Sequence, residues 1–331
     1  MPWARKEEIS CEVDDSRMHR FAVTLIFVLL AGTVGRSALA ADSPARVGVL
    51  GTDVSSGPLY AQAAGSFDRA GVPVDVQYRK TSVNLLDGLR DGTLDVAFVN
   101  IISAVHEIEA GAPFTIVAPA ALYDSAHPIT VMLGPQARPV RSGADLNGKT
   151  ISVPAPNDLG EIATRNWVDK HGGDSKTVHY VSDIAFTDVA DALNSGRVDA
   201  AEMSEPIKTQ IMPTVSFAAA TFDDIAPKFA IGVFLARNAW IHDHPDAARR
   251  FVAAMVDGDR WANTHNADTA AVLAAHYHTN PDVLATMVRA TYPERLTPDL
   301  LQPVIDVAAK YGVVTPVRAE TLLTFLAAAG Q

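Results

Sequence analysis

Leu89-Arg90-Asp91-Gly92-Thr93-Leu94-Asp95-Val96-Ala97 returns 104 residues later as Leu193-Asn194-Ser195-Gly196-Arg197-Val198-Asp199-Ala200-Ala201. Each stretch reads as the end of a helix, a glycine suited to the left-handed position just past it, and a buried strand. Two lobes of like topology, each about a hundred residues, would carry such a repeat at this spacing. A common helix-to-strand turn met twice by chance would look the same, so the flanking sequence has to decide.

Around the first copy, strand-like runs at 47–50, 74–78, 95–99 and 114–118 alternate with helical runs at 59–70, 85–90 and 103–110. Around the second copy, strands are expected at 129–133, 150–153, 178–181 and 198–201, with helices at 159–171 and 186–193. This rhythm predicts an α/β fold, a mainly parallel sheet with helices on both faces, formed twice. Past a strand-like run at 229–236 the pattern becomes purely helical. Pro245 suits a first helical turn, and Phe251, Val252, Met255 and Val256 share one face. Further helices are expected at 269–276, 281–290, 298–310 and 318–329. Successive helices without strands cannot extend a sheet, so they must pack on one lobe or brace both.

The 331 residues are 48% apolar and 20% charged, a globular rather than a disordered composition. Lys plus Arg number 27 against 38 Asp plus Glu, a balance of -11 that argues against a nucleic-acid partner. The single cysteine, Cys11, excludes an internal disulfide and a cysteine-rich zinc site. Residues 21–31, FAVTLIFVLLA, follow Met18-His19-Arg20 and precede Ala38-Leu39-Ala40. A positive start, a short apolar middle and a small-x-small cut are the parts of a secretory signal, with cleavage expected near Ala40. Residues 1–17 are acidic on balance, which suits a true start at Met18 better than one at Met1. Removal of residues 1–40 takes away five basic and five acidic side chains and leaves the balance at -11.

Two motifs invite chemistry and lack its context. Gly143-Ala-Asp-Leu-Asn-Gly148-Lys149-Thr150 fits the P-loop pattern, but Thr-Ile-Ser-Val follows it, a strand where a phosphate-binding helix should start. His242-Asp-His244 and His276-Tyr-His278 sit at expected helix ends without a third or fourth converging ligand, so no metal and no cofactor is expected. No G-x-S-x-G elbow is present.

Ligands of open α/β sheets bind at the carboxyl ends of strands. Those ends deliver Thr52, Asp53, Ser55 and Ser56; Arg79 to Ser82; Asn100, Ile101 and Ser103; Asn157 and Asp158; Ser182 and Asp183; and the acidic loop Glu202-Met203-Ser204-Glu205-Pro206. Such residues cap helices and also line pockets, because both jobs fall at the same corner.

At these positions the chain resembles the solute-binding proteins of aliphatic sulfonate, taurine and nitrate uptake and their thiamine-precursor relatives. The resemblance is carried by Val47-Gly-Val, Gly57-Pro-Leu-Tyr60, Gly65-Ser-Phe-Asp-Arg-Ala-Gly71-Val-Pro-Val-Asp, Asp95-Val-Ala-Phe-Val-Asn100 and Ala110-Gly-Ala-Pro113. The second half adds Asp145-Leu-Asn-Gly-Lys-Thr-Ile-Ser-Val153, Gly196-Arg-Val-Asp-Ala-Ala-Glu-Met-Ser-Glu205-Pro206 and His244-Pro-Asp-Ala-Ala-Arg-Arg-Phe. It implies a periplasmic-binding-protein type II fold, two doubly wound α/β lobes joined by two crossover segments, with a helical C-terminal region. Lobe 1 would comprise 46–123 plus 230–331, and lobe 2 would comprise 124–229. The implied function is capture of a small solute in the inter-lobe cleft and delivery to a membrane ABC permease with its ATPase, by a periplasmic monomer.

On that reading the expected contacts are Thr52, Ser55, Ser56, Asn100, Asn157, Ser182 and Glu202, with Asp53 and Glu205 behind them. Sulfonate, taurine or nitrate is the ligand class the resemblance puts first. Only Arg79 and Lys80 lie near the strand ends, against Asp53, Asp183, Glu202 and Glu205, which would suit a thiamine-pyrimidine precursor or a cation better. A ligand sensor is the alternative to transport. An enzyme on the same fold is not expected, because the related pyrimidine synthases carry a cysteine-rich segment and the mature chain has no cysteine.

Overall fold

The computed structural model describes residues 43–328 and 330; the expected signal segment and Cys11 lie outside the described residues. The strands are β1 (Ala45–Val49), β2 (Val74–Tyr78), β3 (Val96–Asn100), β4 (Phe114–Pro119), β5 (Leu122–Asp124) and β6 (Thr130–Pro135). They continue as β7 (Thr150–Ser152), β8 (His179–Val181), β9 (Ala200–Ser204), β10 (Val215–Ala219), β11 (Lys228–Ala230) and β12 (Gly232–Arg237).

One sheet has the order β2-β1-β3-β12-β4 and the other β8-β7-β9-β6-β10, so the two lobes share one topology. In each, the first three strands of its own run pair in parallel, while the strand arriving from the opposite lobe, β12 or β6, runs antiparallel to both neighbours. Both sheets are therefore mixed, whereas a mainly parallel sheet was expected. The reversed strand enters from the crossover side, a tertiary fact that short-range periodicity does not carry. The crossovers themselves pair as β5 with β11, antiparallel, from Lys228 opposite Asp124 to Ala230 opposite Leu122.

The sequence repeat does the same work twice. Asp95 and Asp199 stand at the starts of the two third strands, and each carboxylate accepts a backbone N–H from the first strand of its sheet. Arg46 N donates to Asp95 Oδ2 at 3.0 Å and Thr150 N to Asp199 Oδ2 at 3.1 Å. In return, Asp95 N donates to Arg46 O and Asp199 N to Thr150 O. The reversed strand's neighbourhood supplies an arginine in both lobes, Arg237 at 3.9 Å from Asp95 and Arg138 at 3.2 Å from Asp199. Gly92 (φ +79°) and Gly196 (φ +78°) take the left-handed turn, and a Cβ on either would lie 3.0–3.1 Å from that same arginine. Hydrogen bonds to a charged partner contribute about 1.5–3 kcal/mol each, so the repeat is kept by a specific pin and not by turn propensity alone.

The helix Pro245–Ala262 packs on Gly57–Ala63 and Ser66–Ala70 of the first lobe. Pro298–Lys310 lies against Ile101–Glu109 of that lobe, against β11, and against Leu159–Lys170 of the other. Lys310 Nζ donates to Asn166 Oδ1 at 3.0 Å and Tyr311 OH to Asp169 Oδ2 at 2.7 Å, so the C-terminal helices brace both lobes. Several short elements had no expectation: β5, β10 and the helices Ile207–Ile211 and Asn238–Asp243. At three to six residues they are too short to show a period. The helix expected over 59–70 is broken by Gly65 at φ +70°, and the one expected over 281–290 ends at Thr286. The P-loop look-alike is a short 3-10 turn, Gly143–Leu146, feeding β7.

Candidate ligand site between the lobes

A cavity of about 60 Å³ lies where the two sheets meet. The first lobe contributes Leu50, Thr52, Val54, Ser82, Phe98, Asn100 and Ile231; the second contributes Thr130, Pro154, Asp158, Leu159, Gly160, Phe186, Glu202, Met203, Ser204 and Phe222. A buried water needs roughly 10–15 Å³ of such space, so the cavity suits a small solute and not a drug-sized one.

Three helices begin at this wall: Ser82–Asp91, Ile101–Glu109 and Leu159–Lys170. Some of their first-turn amides are already occupied. Thr81 Oγ1 accepts from Asn84 N, and Asp158 Oδ1 accepts from Glu161 N. Asn100 Oδ1 accepts from Ser103 N at 3.0 Å in its own helix and from Leu159 N at 3.3 Å across the cleft. Asn100 thus caps one helix in each lobe. A second bond between the lobes runs from Asp53 N to Glu205 O at 3.1 Å, so the cleft is closed. Gly160 permits the close fit of the second-lobe helix, since a Cβ there would come within 2.9 Å of Pro154 Cδ and 3.4 Å of Asp158 Oδ1.

Glu202, at the middle of β9, is 2% exposed. Its Oε1 accepts from Thr164 Oγ1 at 3.0 Å and from the Thr221 hydroxyl, while Oε2 is buried with no partner among the described residues. Burial pushes its carboxyl up to about 7, opposed by the two threonine bonds. Asp158 is pushed up to about 8, again chiefly by burial, with the charges of Glu161 and Glu202 adding to the shift. Among the described residues no Lys, Arg or His lines the cavity.

Of the nine residues expected from the sequence, Thr52, Asn100 and Glu202 line the cavity. The other six are placed elsewhere, and most have a structural partner. Asp53 is fully buried beneath the wall, accepting from Arg289 Nε at 3.0 Å, Ala290 N at 2.9 Å and the Tyr60 hydroxyl. Ser55 Oγ is bound to Leu50 N and O, and Ser56 Oγ to Thr52 O and Tyr277 OH. Glu205 holds Lys208 Nζ at 2.8 Å, Thr209 and Val288 N. Asn157 is exposed at φ +53°, its N–H given to Glu161 Oε2, and Ser182 is half-buried outside the wall. Lys80 is exposed and Arg79 is turned to Gln77, so neither basic residue reaches the cavity. The polar and aromatic lining residues outside the nine are Ser82 and Asp158, named only among the strand-end residues, the hydroxyl pair Thr130 and Ser204, joined at 2.6 Å, and the phenyl rings of Phe98, Phe186 and Phe222. Phe98 and Phe222 also belong to the buried core, so they carry no separate signal in the sequence. His242, His276 and His278 are exposed, and no group of three or more potential metal ligands converges among the described residues.

Two lobes of matched topology, two paired crossovers and a cavity walled from both sides define a periplasmic-binding-protein fold. Residues 41–277 match the model of the NMT1-like family, and the chain belongs to that family. YtlA of Bacillus subtilis (strain 168), provisionally named a binding protein, is 23% identical over 236 residues, 70% of each chain. The periplasmic nitrate-binding protein NrtA from Synechocystis PCC 6803 superposes with a TM-score of 0.73 at 13% identity over 84% of each chain. The alkanesulfonate-binding protein SsuA of Xanthomonas axonopodis pv. citri, bound to MOPS, gives 0.67 at 17% identity, covering 86% of this chain and 98% of that one. A desulfurization enzyme, DSZB, shares the fold at 0.58 and 17% identity, covering 85% and 99%. At these identities the structures speak for the fold, which serves both binding proteins and at least one enzyme.

Proposed function

We propose that this chain is an extracytoplasmic solute-binding protein that captures a small organic solute between its lobes and presents it to a membrane ABC permease. The observation that supports this most is the composition of the cavity wall, which comes from both lobes and is closed by the Asn100–Leu159 and Asp53–Glu205 bonds. A solute touching both walls favours the closed state by whatever contacts the open state lacks, and a permease can read that closure. We assign Thr52, Asn100, Ser82, Asp158 and Glu202 as contacts. The reading is capture and not turnover, in keeping with the sulfonate- and nitrate-binding proteins among its structural neighbours. Both walls belong to one chain, which suits a monomer, and the signal-like residues 18–40 suit export.

A thermal-shift panel on the purified protein tests this. It should span sulfonates, taurine, nitrate, pyrimidines, amines and aromatic carboxylates. A solute at a hundred times its Kd stabilises by about 2.7 kcal/mol. At least one solute is expected to raise Tm by several degrees; a flat response to every class contradicts capture.

A further inference from the structure

The cavity's charge is one-sided. Asp158 and Glu202 both belong to its wall, both are 2% exposed, and no basic side chain lines it among the described residues. The groups packed around them do not compensate. Glu161 beside Asp158 is ion-paired to Arg165, whose guanidinium lies 5.2 Å from the centre of the Tyr180 ring. Tyr123, near Glu202, gives its hydroxyl to Asp223 at 2.7 Å. Thr164 and Thr221 satisfy one oxygen of Glu202, and the other stays unpartnered. The helix starts at the wall would favour an anion, but Thr81, Asn100 and Asp158 already hold amides of those first turns. What the wall still lacks among the described residues is a positive charge. Phe98, Phe186 and Phe222 in the same wall add ring systems that attract cations.

We propose that the captured solute is a small organic cation, an ammonium or amidinium, that donates to Glu202 and Asp158 and lies among the three phenyl groups. This rests on the capture reading above and adds the ligand's charge to it. A buried carboxylate is stable when a cation pairs with it, and a bound ammonium supplies that pair. Burial raises both carboxyls to about neutral pH or above in the empty protein, so the cation displaces the protons they still hold as it binds. Its affinity then rises with pH, by up to about tenfold per pH unit for each proton displaced. An anion accepting from the same protonated carboxyls would show the opposite slope.

The test is calorimetry and thermal shift on the purified protein at pH 6, 7 and 8. The probes are ethanolamine, choline, putrescine and benzamidine, set against isethionate, ethanesulfonate and nitrate. A cation of the set is expected to bind, with affinity at least tenfold higher at pH 8 than at pH 6. Glu202→Gln should weaken it at least tenfold and flatten the slope. Asp158→Asn keeps the helix cap, provides a second variant should the first fail to fold, and should do the same more weakly. Tighter binding of an anion, an affinity that falls with pH, or unchanged cation binding in both variants overturns the assignment while leaving capture intact. No response to any probe, together with a flat wider panel, overturns both.

Discussion

The two lobes repeat one topology and one aspartate pin, yet two of their buried carboxylates, Asp53 and Glu202, are treated in opposite ways. In the first lobe, Asp53 is enclosed by a guanidinium, a backbone amide and two tyrosines, Tyr60 donating to its carboxylate and Tyr292 to its carbonyl. The cation comes from Arg289 in the C-terminal region, and among the described residues Glu202 has no such counterpart. There, Glu202 receives two hydroxyls and no charge. The difference separates structure from function. A buried carboxylate with its own cation is finished, whereas one without a cation in a cavity wall is open to a ligand.

The largest effect should come from unpairing the finished site. Arg289→Ala leaves Asp53, 0% exposed, without its cation, and should cost about 3–5 kcal/mol in a urea melt. A loss below about 1 kcal/mol would mean that Asp53 does not depend on Arg289.

The unfinished site should reveal itself through pH. Glu202 and Asp158 have folded-state values of about 7 and about 8, above the ordinary 4.5 and 3.8, so their contribution to stability is full at low pH and is lost as pH rises through those values. Asp259 behaves in the same sense: it is fully buried in Pro245–Ala262, neither oxygen has a partner among the described residues, and burial raises it well above 3.8. The ligand-free protein should therefore lose stability between about pH 4 and pH 8. Glu202→Gln should remove on the order of 2–3 kcal/mol of that loss, and Asp259→Asn a further part. Melts of the three proteins across this range would show it, and parallel curves would refute it.

The pin tests the likeness of the lobes. Asp95 also binds Arg46 Nε at 2.8 Å and Nη2 at 2.6 Å, while Asp199 meets Arg138 and Lys149 at 3.2 and 3.8 Å. Asp95→Ala should cost about 2 kcal/mol and Asp199→Ala about 1 kcal/mol. Equal losses would place the whole effect in the shared strand-start bond.

Much of this fold can be read from the chain because its signals are local. The Gly92 and Gly196 turns, the apolar runs of β3 and β9, and the proline-started helix Pro298–Lys310 each declare themselves within ten or fifteen residues. The reversed strands and the β5–β11 pair do not, because their direction is fixed by partners far along the chain, such as Ser204 for Thr130 and Asn100 for Gly232. The site divides the same way. Strand ends gave Thr52, Asn100 and Glu202, but polar residues at strand ends also include Asp53 and Glu205, whose partners Arg289 and Val288 lie far along the chain. Asn100 and Asn157 look alike in sequence, each next to a helix start, and only packing shows that one faces the cavity and the other solvent.

That pair gives the most direct test of capture between the lobes. The solute with the largest thermal shift should be titrated into the native protein, Asn100→Ala and Asn157→Gly, the latter suited to the left-handed backbone at that position. Asn100→Ala should weaken binding at least tenfold, and Asn157→Gly should stay within twofold. Equal affinity in all three, or a loss confined to Asn157→Gly, would contradict a site closed between the two walls.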